Sequence, residues 1–209
     1  MFSTAFFYLY KMRALNLLLL ILTPTILFGQ EAKMHEDTSL ASLKQRKAKY
    51  ESYEYNHRKN IVFLVKISGK KGLLKVKEGD WPDDTEFIYS LLKDEAGKII
   101  LITQSPYSQS GDWYIECKHY FNSKGKTFAF SKKETVFDDR VKGEVAMETF
   151  LRFYNDRFDV IEKDYRLTDG DDKLIKRNKN DFDFRDFKEQ VYSNVSDCLK
   201  AYNIKVVNK

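Results

Sequence analysis

From residue 60 onward, apolar positions come in short bursts separated by turn-forming residues. The first burst, NIVFLVKI at 60–67, is β-branched and apolar on both alternating faces, and SGKKG at 68–72 marks a turn into LLKVK. FIYSLLKDEAGKIILITQ at 87–104 is an apolar run, a turn with Asp94 and Gly97, and a second apolar run. WYIECKHYFNSKGKTFAFS at 113–131 repeats that plan around Asn122 and Gly125, and residues 147–176 add turn signals at Asn155-Asp156 and Thr168-Asp169-Gly170. Asp and Asn close their own backbone turns and Gly supplies a positive φ, so each is a hairpin signal with a mechanism. The pattern predicts an antiparallel meander of about seven to nine strands.

The last element changes period. Phe184, Phe187, Val191, Val195, Cys198 and Tyr202 step by three or four, which is one stripe of a helix, with Asp181 and Asp183 where acids complement a helix N-terminus. The fold class is therefore α+β: a β-meander forming a curved sheet or half-barrel, with a packed C-terminal helix. Residues 31–58 are polar, with Leu40 and Leu43 the strong apolar pair, and predict a loose start and a short helix ahead of a single α+β domain at 59–209.

One helix covers only one face of a sheet, yet the strands at 61–67 and 99–102 are apolar on both. Either the meander folds over on itself, or its second face holds an apolar ligand or a protein partner.

Lys11 and Arg13 precede an apolar run from Ala14 to Phe28 that contains Pro24 and is shorter than the roughly 20 residues a membrane span needs. This is the order of a secretory signal, residues 1–30, cut beside Gly29 or Gln30. A start at Met12 gives a more compact signal than Met1 does. The chain is thus expected to be periplasmic or secreted, with no stable membrane span after cleavage.

Of 36 basic residues the signal removes Lys11 and Arg13 and no acid, leaving 34 basic against 31 acidic. LKQRKAKY at 43–50 is the strongest basic run, but export argues against nucleic acid as its partner. Aromatics at 15% with three prolines point to a packed core, and two cysteines are too few for a disulfide scaffold.

Candidate chemistry centres on GDWYIECKHYF at 111–121. Alternation puts Trp113, Ile115, Cys117, His119 and Phe121 on one face and Tyr114, Glu116, Lys118 and Tyr120 on the other. The first set reads as core. Cys117 would then face Cys198 on the helix stripe, and a disulfide between them is expected in an oxidising compartment. Cys117 and His119 alone do not make a metal site, which needs two further ligands, and no cofactor is implied. No G-x-S-x-G elbow, H-E-x-x-H pair or phosphate loop occurs. Tyr114, Glu116, Lys118 and Tyr120 remain as the candidate binding residues.

The repeated aromatic, Asp or Asn, Gly-Lys, apolar hairpins over 87–176 resemble those of uncharacterised exported β-meander proteins of Gram-negative bacteria; the resemblance implies no functional residues. The expected function is a non-catalytic binding protein of the cell envelope, holding on its sheet either a protein partner, as an inhibitor or immunity protein would, or an apolar ligand. The alternative is a hydrolase using Glu116 with turn aspartates, which requires two such acids within about 10 Å.

Overall fold

The computed structural model describes residues 38–205; the expected signal peptide and the Met12 start lie outside the described residues. Eight strands form one sheet: β1 (Ile61–Ile67), β2 (Leu74–Val76), β3 (Thr85–Lys93), β4 (Ile99–Pro106), β5 (Trp113–Phe121), β6 (Thr127–Phe137), β7 (Val145–Tyr154) and β8 (Val160–Asp169). The spatial order is β2-β1-β3-β4-β5-β6-β7-β8 with every pairing antiparallel, so the sheet is an open meander apart from β2, which turns back onto the outer side of β1.

One turn is built four times. Asp94, Asn122, Asn155 and Asp169 each accept, at the carbonyl, the N–H three residues on, and each gives its own N–H to the carbonyl four residues on. In all four the side-chain oxygen also takes the N–H of residue i+4, at 2.8 to 3.0 Å. The fourth residue of each turn has a positive φ: Gly97, Gly125, Phe158 and Asp172. A short loop closed by a left-handed residue shifts the register by one, and such shifts occur at Leu92/Lys93, Tyr120/Phe121 and Phe153/Tyr154.

Both faces of the sheet are covered from within the chain. Helix α1 (Leu40–Asn56) starts at Ser39, whose hydroxyl accepts from Ser42 N–H at 3.3 Å, and buries Leu43. Leu43 packs with Leu92, Leu101, Tyr120, Phe128 and Phe153, and the Tyr50 ring meets Phe128 edge-on at 5.8 Å. The apolar surplus on the second face is thus met by α1 over the middle of the sheet, not by the sheet folding onto itself.

The opposite face is covered differently from the expected long helix. Only α2 (Val195–Ala201) is helical; residues 182–194 form an extended strap across β5, β6 and β7. The reason lies in what the sheet offers. Arg185 N–H donates to Glu134, Lys132 donates to the Phe187 carbonyl at 2.8 Å, Tyr192 N–H donates to His119 Nε2 at 3.2 Å, and the Thr127 hydroxyl donates to the Tyr192 carbonyl at 2.6 Å. Backbone groups satisfied by side chains from below have no need of helical partners. Phe182, Phe187, Val191 and Tyr192 anchor the strap in the apolar clusters beneath it.

The expected disulfide is absent: Cys117 and Cys198 are both buried free thiols. Cys117 packs with Ile115, Phe130 and Tyr154, whereas Cys198 packs with Tyr89, Ile102, Phe121 and Tyr202. The inference that both point inward on one face holds. With the strap extended, however, the helix carrying Cys198 begins only at residue 195 and seats it in a different apolar cluster from Cys117.

Candidate functional site

Alternation along β5 sends Tyr114, Glu116, Lys118 and Tyr120 to the α1 face, and α1 divides them. Tyr120 is fully buried beneath the helix, where its hydroxyl donates to Glu51 at 2.9 Å; Lys47 holds the same carboxylate at 2.7 Å. Tyr120 is therefore a packing and docking residue. Tyr114, Glu116 and Lys118 lie nearer the start of the strand and line an open cleft of about 480 Å³.

Lys118 organises the floor. Its ammonium stands 3.0 Å from Glu54 Oε2, on α1, and 3.5 Å from Glu116 Oε2, two residues away on β5. Burial works against its charge, but Glu116 and Glu54 outweigh it and hold the pKa above its ordinary value. The Tyr114 hydroxyl donates to Glu116 at 3.1 Å, and burial of that end together with the Glu116 charge pushes its pKa up to about 12. Tyrosine and lysine both keep their protons, and the two carboxylates are acceptors around them.

The walls are aromatic. Trp81, from the loop between β2 and β3, meets Phe63 of β1 edge-on at 5.6 Å. Tyr55 and Tyr114 form the rim, with 81% and 48% of their surface exposed. Arg58 pairs with Glu78 while its guanidinium lies 6.0 Å above the Phe63 ring. Thr103 lines the inner wall, and its buried hydroxyl has no hydrogen-bond partner among the described residues.

Of the four candidate residues, three meet in one place. Glu54, Arg58 and Trp81 join them, and sequence reasoning missed these. A signal existed: Lys47, Glu51 and Glu54 step by four and three along α1, a charged stripe beside the apolar one, and Arg58 follows four residues on, in the short 3-10 turn after the helix. The turn aspartates do not approach Glu116; Asp138 pairs with Arg140, and Asp171 with Lys142 and Lys173. The carboxylate that does approach it is Glu54.

His119 and Cys117 belong to the other face. His119 accepts a backbone N–H at Nε2, which places its proton on Nδ1, and burial lowers its pKa to about 4. Burial likewise raises both thiols to about 12, which leaves them without nucleophilic thiolate at neutral pH. Among the described residues no helix is long and apolar enough to cross a membrane.

Against this geometry, comparison with protein-family models, curated proteins and solved structures returned no match for the chain.

Proposed function

We propose that the chain is an exported, non-catalytic binding module of the bacterial cell envelope, of inhibitor or immunity type, and that its cleft receives a basic side chain of a protein partner. The observation that carries this reading is the pairing of Glu54 and Glu116 on Lys118 at the floor of an aromatic-walled cleft. Four glutamates, Glu51, Glu54, Glu78 and Glu116, line the cleft against Arg58 and Lys118, so its charge favours a cation. The cleft already holds one guanidinium, Arg58, between a carboxylate and a ring, which is the geometry an incoming arginine would repeat. The exposed rim tyrosines are the residue type that protein interfaces use as anchors.

The test uses Trp81 as a reporter. The chain has two tryptophans, so Trp113→Phe leaves Trp81 alone. A short peptide with a central arginine is expected to change Trp81 fluorescence saturably, and Glu54→Gln with Glu116→Gln to abolish the change. An analogue with glutamate in place of arginine, binding equally well, would refute the reading.

A second reading rests on the same pair: two carboxylates within reach of one ammonium are close enough for acid and base work on a glycoside. It requires turnover of aryl glycosides that Glu116→Gln removes.

A further inference from the structure

A second groove lies at the far side of the sheet, on the strap face of β7 and β8. Phe150 and Tyr165 sit directly opposite each other in the register of these strands, with ring centroids 4.9 Å apart. Leu167 continues the same face of β8. After the turn at Asp169, the chain doubles back and residues 174–179 pass over this apolar strip, held by Ile175 N–H on the Leu167 carbonyl at 2.9 Å. The space between is about 740 Å³, within the range of small-molecule sites.

The groove has a definite polarity. Its walls are Phe150, Tyr165, Leu167, Leu174 and Ile175, with Leu174 72% and Tyr165 47% exposed. Arg166, Lys176, Arg177 and Lys179 also line it, and among the described residues no acid does. Arg166 is neutralised by Asp164 at 3.1 Å and Lys179 by Glu148 at 3.3 Å. Among the described residues neither Lys176 nor Arg177 is in an ion pair; Arg177 lies 5.9 Å over the Phe182 ring, and its charge helps hold the Asp138 carboxyl below its ordinary pKa from beyond pairing distance. The groove thus joins an apolar strip to two cations that are outside any direct ion pair.

We propose that this groove binds a free fatty acid, its alkyl chain along Phe150, Tyr165 and Leu174 and its carboxylate at Lys176 and Arg177. An apolar strip alone would accept any alkyl chain, and the cation pair selects an anionic head. The site is separate from the cleft of Glu54, Glu116 and Lys118, on the other face of the sheet and at its opposite end.

Calorimetric titration of the purified chain with laurate, below its micelle concentration, tests this. One equivalent is expected to bind, while dodecyltrimethylammonium and dodecanol bind far more weakly. Affinity should rise about two- to fourfold for each methylene from decanoate to laurate. The double variant Lys176→Glu with Arg177→Glu, at two exposed positions, should weaken laurate about tenfold or more. Its melting temperature should match that of the parent. Glu116→Gln should leave laurate binding unchanged, which separates this site from the cleft. Equal binding of the cationic detergent, no effect of the double variant, or no laurate binding would overturn the proposal. Binding only to phosphatidylglycerol vesicles, without laurate binding, would also overturn it in favour of a membrane surface.

Discussion

Glu134 and Glu148 stand directly opposite each other on β6 and β7, both buried beneath the strap. Each has its own support: Lys132 and the Arg185 N–H hold Glu134, and Lys179 and the Tyr165 hydroxyl hold Glu148. One oxygen of Glu134 nevertheless has no hydrogen-bond partner among the described residues. Burial raises the Glu134 pKa from its ordinary 4.5, and the Glu148 charge adds to the rise. An acid whose folded pKa lies above its unfolded one is protonated more readily in the folded state, so its contribution to stability worsens as pH rises from 4.5 through the folded value. Relative to Glu134→Gln, the parent should lose stability over that window. Denaturant unfolding between pH 4 and pH 8 measures the difference, and a constant difference would refute the assignment.

His119 acts with the opposite sign. Its folded pKa of about 4 lies below the ordinary 6.5, so below pH 6.5 the unfolded chain takes a proton that the folded one refuses. The stability associated with His119 is fully present above pH 6.5 and is lost as pH falls toward 4, by roughly 3 kcal/mol in all. His119→Phe should flatten that loss. At pH 8 it should itself cost about 1–3 kcal/mol, because Tyr192 N–H loses its acceptor.

The two thiols give a direct chemical test. Both are buried, unbonded and raised to about 12. A thiol reagent should find two cysteines in denatured, unreduced protein and react with neither at a comparable rate in the native state.

Helix α1 is fastened to the sheet chiefly through Leu43, which is buried, and through the Tyr120 to Glu51 hydrogen bond. Leu43→Ala should cost about 2–5 kcal/mol and increase binding of a hydrophobic dye, because the cluster of Leu92, Leu101 and Phe153 loses part of its cover.

Gly143 and Gly170 touch back to back, and a Cβ on Gly143, at φ +74°, would stand 3.0 Å from the Gly170 Cα. At Gly97, φ +79°, a Cβ would meet open space. Gly97→Ala should therefore cost only the left-handed penalty of about 1–2 kcal/mol, and Gly143→Ala measurably more. Melting temperatures of the two variants decide this.

What could be seen in the sequence follows how far apart the partners are. The four turns are closed by groups within four residues, so Asp94, Asn122, Asn155 and Asp169 announce them. The two faces of β5 follow from alternation alone, and Tyr114, Glu116 and Lys118 were found that way. The strap could not be read, because the groups that keep it extended come from distant strands: His119 is 73 residues from Tyr192 and Lys132 is 55 from Phe187. The three- and four-residue spacing of its apolar positions is equally served by an extended segment with anchors in separate clusters. Glu54 was missed for the same reason, lying 64 residues from Lys118.

The meander is made of neighbours that follow one another along the chain, whereas its two covers come from opposite sides of it in sequence. Hairpins of this kind can pair as soon as both strands exist, at little loop-closure cost. The strap face is different: His119, Lys132 and Glu134 wait with their hydrogen-bonding groups unmatched until residues 182–194 arrive. A chain delivered progressively from its N-terminal side would carry a half-finished sheet almost to its last residues. Its period of vulnerability to misassociation is then set by delivery of this final stretch, not by strand pairing.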